Sequence, residues 1–368
     1  MMRQTNRQWA HWSRFSIAVA AMVTIAGGAF GQPQEPAINN GVVATTNLRE
    51  RTLEMLNAFS FNENALLRAN AIEALQAVPS RAEPVAAAAL GDDNPGVRYA
   101  AAMTIGKLRL KGIAPQVRPL LRDEDSRVRC AAIFALTRCG EKADRSPLAS
   151  YLLGHDMRVS STAAFVLGEL GEPSAIALLR DVARPPRRRD PAEAEQAPPV
   201  GIPDPVDRVI RRLQVAEALT KLGDDAGRDV IRSALYPRQR EDFEAAVLAA
   251  QILGEVKDTS AAAQLVQLIE QTVPGATAEE GGIPEYLQPK ELRLAAATAL
   301  AKMGYRDGVY VADQYRADPD AAVRAQAAFL YRAVGRRADR DTLAAMLDDP
   351  SPLVQVSAAA GVLAILEK

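Results

Sequence analysis

The sequence predicts an all-α chain, a right-handed α-solenoid of about nine two-helix repeats with a loop inserted inside two of them. Three observations carry that prediction. The stretch Val128–Gly140, VRCAAIFALTRCG, reads as one amphipathic helix closed by a glycine, and related text recurs from Val97, Val159, Leu292 and Val323. The spacing is fixed: 31 residues separate Val97, Val128 and Val159, and 31 again separate Leu292, Val323 and Val354. Such a period, with helical text in each unit, marks a solenoid whose units bury their apolar stripes against one another. Aromatic residues make up only 5% of the chain and alanine is abundant, which suits helices packed closely through small side chains.

The first 46 residues precede the array. Met1–Arg14 holds Arg3, Arg7 and Arg14 and no acid, and an apolar run follows from Phe15 to Phe30. Ala29 and Gly31 then stand at −3 and −1 of a cut before Gln32. This is the layout of a secretory signal peptide over residues 1–31, and it predicts an exported chain, periplasmic or secreted. The alternative is a membrane anchor formed by residues 15–30. That run is shorter than the ~20 residues a spanning helix needs and contains Gly27-Gly28, which favours cleavage. Cleavage takes three arginines from 44 basic residues and none of the 45 acids, leaving a net charge of −4. Trp9, Trp12 and His11 leave too, so His155 is the one histidine of the mature chain. Residues 32–46 read as a polar lead-in, and 47–368 as the array.

Each unit follows one grammar. The first repeat pairs a helix near Leu48–Phe59 with one near Ala65–Val78, and Arg49, Glu50, Arg51 and Glu54 supply the polar face of a terminal cap. Three residues before each key apolar position stand Asn94, Asp125, Asp156, Asp320 and Ser351, side chains able to cap free helix N–H groups. Four residues after it the side chain is always alanine: Ala101, Ala132, Ala163, Ala296, Ala327 and Ala358. That is where neighbouring helices should approach most closely. Gly140, Gly171, Gly304 and Gly335 then mark left-handed helix ends.

The period breaks twice. Arg184–Pro205 interrupts the fifth unit and Thr272–Pro289 the seventh, each at the turn between the two helices of its unit. Turns of that kind share one edge of a solenoid, so both loops are expected on the same edge, where insertions often mark a working side. The last helix, VQVSAAAGVLAILEK, is apolar nearly all round. A closing repeat should show water a polar face, so this end is expected to dock, against a second copy or a partner.

Asp92, Asp123 and Asp318 stand five residues before the key position, and Arg98, Arg129 and Arg324 one after it. With the 31-residue period and the DxxVRxxAAxxL-like text, this pairing resembles HEAT repeats, specifically the short bacterial phycobilisome-lyase HEAT-like kind, over residues 47–368. The resemblance implies that these six residues form a ladder between stacked turns, and that the chain is an adaptor surface. The fourth unit departs, with Gly154 and Ser160 at the two positions, and the last has Asp349 with Gln355, so the ladder is expected to be incomplete.

Little else carries chemistry. Cys130 and Cys139 lie nine residues apart on one helix, half a turn out of phase, so they cannot bond each other. No CxxC, nucleophile elbow or phosphate-cradling glycine loop occurs, and no cofactor or metal is expected. His155 falls in cap-like text between Gly154 and Asp156. The candidate partner-binding residues belong to the loops: Arg184, Arg187, Arg188 and Arg189 with Arg208, Arg211 and Arg212 beyond them, and Glu279, Glu280, Glu285 and Tyr286 in the second. A basic cluster of this kind suits an acidic protein surface or anionic lipid headgroups. Without interleaved aromatics it does not suit nucleic acid. The sequence therefore predicts an exported, non-enzymatic scaffold that binds another protein through its concave face and its looped edge. The alternatives are an enzyme or accessory of the bilin-lyase-like class, or an envelope protein held on lipid by the arginine loop.

Overall fold

The computed structural model describes residues 41–184, 205–237, 242–273 and 285–367. Within them the chain forms nine helix pairs, each an outer segment followed by an inner helix. Repeat one is α1 (Gly41–Phe59) and α2 (Ala65–Ala74), and repeat two is α3 (Pro79–Ala89) and α4 (Pro95–Leu108). Repeat three has a 3-10 outer segment (Ala114–Arg122) before α5 (Ser126–Cys139). Prolines at 115 and 119 remove N–H groups there, which opposes α-helical bonding. Then come α6 (Ser146–Leu153) with α7 (Met157–Leu170), α8 (Ile176–Ala183) with α9 (Pro205–Lys221), and α10 (Ala226–Ser233) with α11 (Phe243–Glu255). The last three pairs are α12 (Ala262–Glu270) with α13 (Lys290–Lys302), α14 (Tyr310–Tyr315) with α15 (Ala321–Val334), and α16 (Arg340–Met346) with α17 (Pro352–Leu366).

The repeat grammar holds with small exceptions. Asn94, Asp125, Asp156 and Asp320 accept N–H bonds from the first turns of α4, α5, α7 and α15. Ser351 makes no such side-chain bond. The six alanines four residues past the key position are all fully buried. Gly140, Gly171, Gly304 and Gly335 have positive φ, and Arg109 and Lys257 take the same position in units without a glycine there. The helix of repeat one begins at Gly41, inside the segment the sequence assigns to the lead-in. The leader, and with it the signal-peptide expectation, lies outside the described residues. No helix among the described residues is long and apolar enough to cross a membrane.

The array closes into a ring. Each inner helix packs on the inner helix of the next repeat from α2 round to α17, and α17 packs on α2. It also packs on α1, the relation α9 has to α10, the outer helix of the repeat after its own. Repeat nine thus treats repeat one as its successor. This answers the expectation for the apolar last helix with a correction: it docks, but within its own chain. Val354, Val356, Val362 and Leu363 of α17 are fully buried, as are Leu56 and Ile72 of the first repeat on which it packs. Arg49 and Arg51, expected to cap an open end, pair across the seam with Glu367 and Asp348.

Closure also changes the concave face. Every residue of α4 from Val97 to Gly106, and of α13 from Leu292 to Ala301, is buried, inward-facing ones included. Over these turns the inside of the ring is packed protein.

Candidate functional site

Two edges remain, each defined by its turns. The loop edge carries the turns within repeats, the N-termini of the inner helices and both insertions. The opposite edge carries the turns between repeats and the inner helices' C-termini.

On the loop edge the expected ladder exists in part. Arg98 grips Asp123 of the next repeat through Nε and Nη2 at 2.8 and 2.9 Å, while its Nη1 donates to the carbonyls of Asp92 and Asp93. Arg324 does the same to Asp349, both bonds 2.8 Å, with Nη1 on the carbonyls of Asp318 and Pro319. Arg68, which sequence reasoning missed, clamps Asp92 in the same way. Burial alone would raise the Asp92 carboxyl, but Arg68 and the Asn94 N–H outweigh it and hold it below the usual range. At the seam both ladder positions are neutral, Asn62 and Gln355, and Gln355 donates to the Asp349 carbonyl.

The middle of the ring differs. Arg129 faces Gly154 where its counterparts face aspartate, so it has no carboxylate. Its Nε donates to the Tyr151 hydroxyl at 2.6 Å and its Nη2 to Ser126 Oγ. Arg158 pairs instead with Asp207, at 3.2 Å. Asp318 is held by Lys290 rather than by Arg293. Arg293 is fully buried, donates to the Ile269 carbonyl, Tyr315 and Gln314, and lies 3.2 Å under the Tyr286 ring. Tyr286 is therefore an anchor for the base of the second insertion. Its Oη takes a bond from Gln314, and the segment pairs Val273 N–H with Glu285 and Leu287 N–H with Gln271.

Of the other predicted contact residues, Arg208 and Arg212 are exposed one turn apart on α9, with no ion pair among the described residues. Arg184 is exposed and reaches Asp181 at 3.3 Å. Glu285 is exposed. Arg211 is half-buried with Nη1 on the Met157 sulfur, and desolvation lowers its pKa. Arg187, Arg188, Arg189, Glu279 and Glu280 lie outside the described residues. The two cysteines are buried and form no disulfide, with the Cys139 thiol on the Ile105 carbonyl, and burial raises its pKa. His155 is exposed on its turn.

Sequence reasoning missed two features of the opposite edge. One is a second ladder, joining the outer segment of one repeat to the residue just past the left-handed turn of its inner helix: Arg118–Glu141, Arg145–Glu172, Arg180–Asp224 and Arg232–Asp258. It runs through repeats three to six, where the loop-edge arginine–aspartate rungs are missing. An acid directly after the helix end in four consecutive repeats was its sequence signal. The other is a charged cluster at the ring's centre. Ten residues past the key position stand Lys107, Arg138, Glu169, Lys221, Glu255 and Lys302, six repeats in succession. Lys221 lies between Glu169 and Glu217, and Lys302 pairs with Glu255. Glu255 also feels Lys107 from the far side of the ring, and Arg332 feels Glu73 and Glu255. Burial raises the Glu217 carboxyl, with Lys221 opposing. This cluster largely neutralises itself, whereas on the loop edge Arg129, Arg208 and Arg212 have no carboxylate partner among the described residues.

The helix pairs belong to a known class. The model of HEAT repeats matches residues 52–123 and 114–197, and the same helix pairing continues to Leu366. No curated protein matches it in sequence. Among solved structures it is similar to the complex of CpcE and CpcF of phycocyanin lyase from Nostoc, at 23% identity over 58% of this chain and 73% of that one, TM-score 0.35. Human deoxyhypusine hydroxylase aligns at 16% identity over 80% and 99%, TM-score 0.35. The karyopherin Kap121p aligns at 12% over 86% and 42%, TM-score 0.32. A repeat array of this class is a scaffold for protein interaction.

Proposed function

We propose that this chain is an exported, non-enzymatic scaffold whose closed ring presents its loop edge to a protein partner. One observation carries the reading: closure packs the inside of the ring, and on the edge that bears both insertions Arg184 is exposed and Arg208 and Arg212 have no ion pair among the described residues. The concave face thus drops out as the principal surface, and Arg184, Arg208 and Arg212 become the electrostatic part of the contact. Exposed cations of this kind steer and orient an acidic partner more than they hold it. Binding rather than catalysis fits a chain whose sole mature histidine stands exposed on a turn. Export rests on the leader sequence, and N-terminal sequencing of protein recovered from the envelope or medium tests it, with Gln32 expected first and Met1 contradicting it. For the edge, mature protein and an Arg184→Glu/Arg208→Glu/Arg212→Glu variant would be crosslinked to envelope and secreted fractions. A partner captured by the first and lost by the second is expected. Equal capture by both would remove the edge from the account.

A further inference from the structure

We infer that the empty ladder rung at Arg129 is a carboxylate-binding position, filled by an acidic residue of the partner that lies along the loop edge. The argument is a comparison inside the molecule. Arg98, Arg129 and Arg324 occupy one register, and all three spend Nη1 on two backbone carbonyls. The remaining edge of the fork, Nε with Nη2, holds a carboxylate in Arg98 and Arg324 and only two neutral hydroxyls in Arg129. That planar edge matches a carboxylate in two-point contact, and a charged acceptor there is worth roughly twice a neutral one.

The backbone does not demand the glycine that leaves the rung empty. Gly154 has φ −65°, ψ 163°, close to the −56°, 148° of Asp123, which fills the equivalent place. Stacking does not rest on the rung either, because α5 packs on α7 here as the other inner helices do on theirs. Arg129 is half-buried, and Leu153, next in sequence to Gly154, is 55% exposed. Further along, Arg208 and Arg212 continue the positive edge. The matching ligand is an acidic segment with an apolar neighbour to its carboxylate, lying across repeats three to five. This inference rests on the loop-edge reading above and names the chemistry of its partner.

The test uses the mature full chain and a fluorescein-labelled peptide of alternating glutamate and leucine, read by anisotropy at low salt. Wild type is expected to bind it and not the glutamine–leucine counterpart. Free glutarate at equal carboxylate concentration should compete poorly, which separates a protein segment from a small diacid. Gly154→Asp supplies the missing carboxylate internally, so it should raise the melting temperature and weaken the peptide at least about tenfold, the equivalent of one charge-assisted contact. Gly154→Asn should change affinity less than about threefold by the same scale. Arg129→Gln, which keeps a carbonyl-directed donor, gives a second reading should Gly154→Asp fold poorly, and it too should lose about tenfold. Unchanged affinity in folded Gly154→Asp and Arg129→Gln, with loss in Arg208→Glu/Arg212→Glu, overturns the rung and leaves the edge. No binding by wild type, or binding that none of these changes affect, overturns both.

Discussion

The stretch around the seam and the stretch opposite it are tied together differently. From repeat eight round through repeat nine, and from one to three, the loop edge carries arginine–aspartate rungs, apart from the neutral pair at the seam. These rungs are mostly covered; the Arg98 and Asp123 side chains are 10% and 6% exposed. From repeat three to repeat six the charge pairs lie on the opposite edge, within each repeat, and are more solvated, with Arg118, Arg145 and Arg180 more than half exposed. The charge pairs thus change both their edge and what they join, neighbouring repeats in one stretch and the two segments of a single repeat in the other. Where the rungs are missing, the loop edge bears the two insertions, and Arg208 and Arg212 there have no ion pair among the described residues. Charge that is not used for stacking is available for recognition.

Breaking the seam should have the largest effect. Leu56→Ala removes a fully buried side chain from the helix that receives α17, and a loss of about 2–5 kcal/mol is expected in urea unfolding. A smaller loss than for an equally buried leucine-to-alanine change far from the seam, such as Leu265→Ala, would mean that the ring opens without penalty. Next come the rungs. Arg98→Ala strands the covered Asp123 carboxylate and should lose about 1–3 kcal/mol. Arg129→Ala strands no carboxylate and should lose less, and the reverse order in melting would erase the distinction drawn between the two regions.

Much of this architecture was legible in the sequence, because period, caps, alanines and left-handed ends are local or near-neighbour requirements. Closure was not. Curvature accumulates from small rotations at each interface, and no single repeat encodes their sum. What could be read was a last helix without a polar face, and it pointed to docking without saying on what. The charges of α1 looked like a solvent-facing cap because a rim and a seam use the same residue types. Arg208 and Arg212 are exposed, whereas Tyr286 is not a free contact; its partner Arg293 comes from beyond the loop and could not be paired by spacing.

Acid should act on the rungs in a defined direction. The Asp92 carboxyl is lowered from 3.8 in the folded chain. Its contribution is therefore complete above that unfolded value and is lost as pH falls through the depressed folded one. Asp92→Asn should be less stable than wild type at pH 6, and the gap should narrow towards pH 2. A constant gap would show that Asp92 acts without its charge. The smallest effect belongs to the exposed pair Arg51–Asp348. Its removal by Arg51→Ala should cost no more than about 1 kcal/mol and fade in high salt. A larger, salt-insensitive loss would shift the weight of the seam from apolar packing to charge.

Closure is measured most directly by the distance between spin labels on Arg51→Cys/Asp348→Cys, since both native cysteines are buried and unreactive by position. A ring predicts one narrow distribution at near-contact range, at every protein concentration. An open array of nine layers at ~9 Å each would separate the same positions by about 70 Å, and a distribution centred there would contradict the ring and return the concave face to the account.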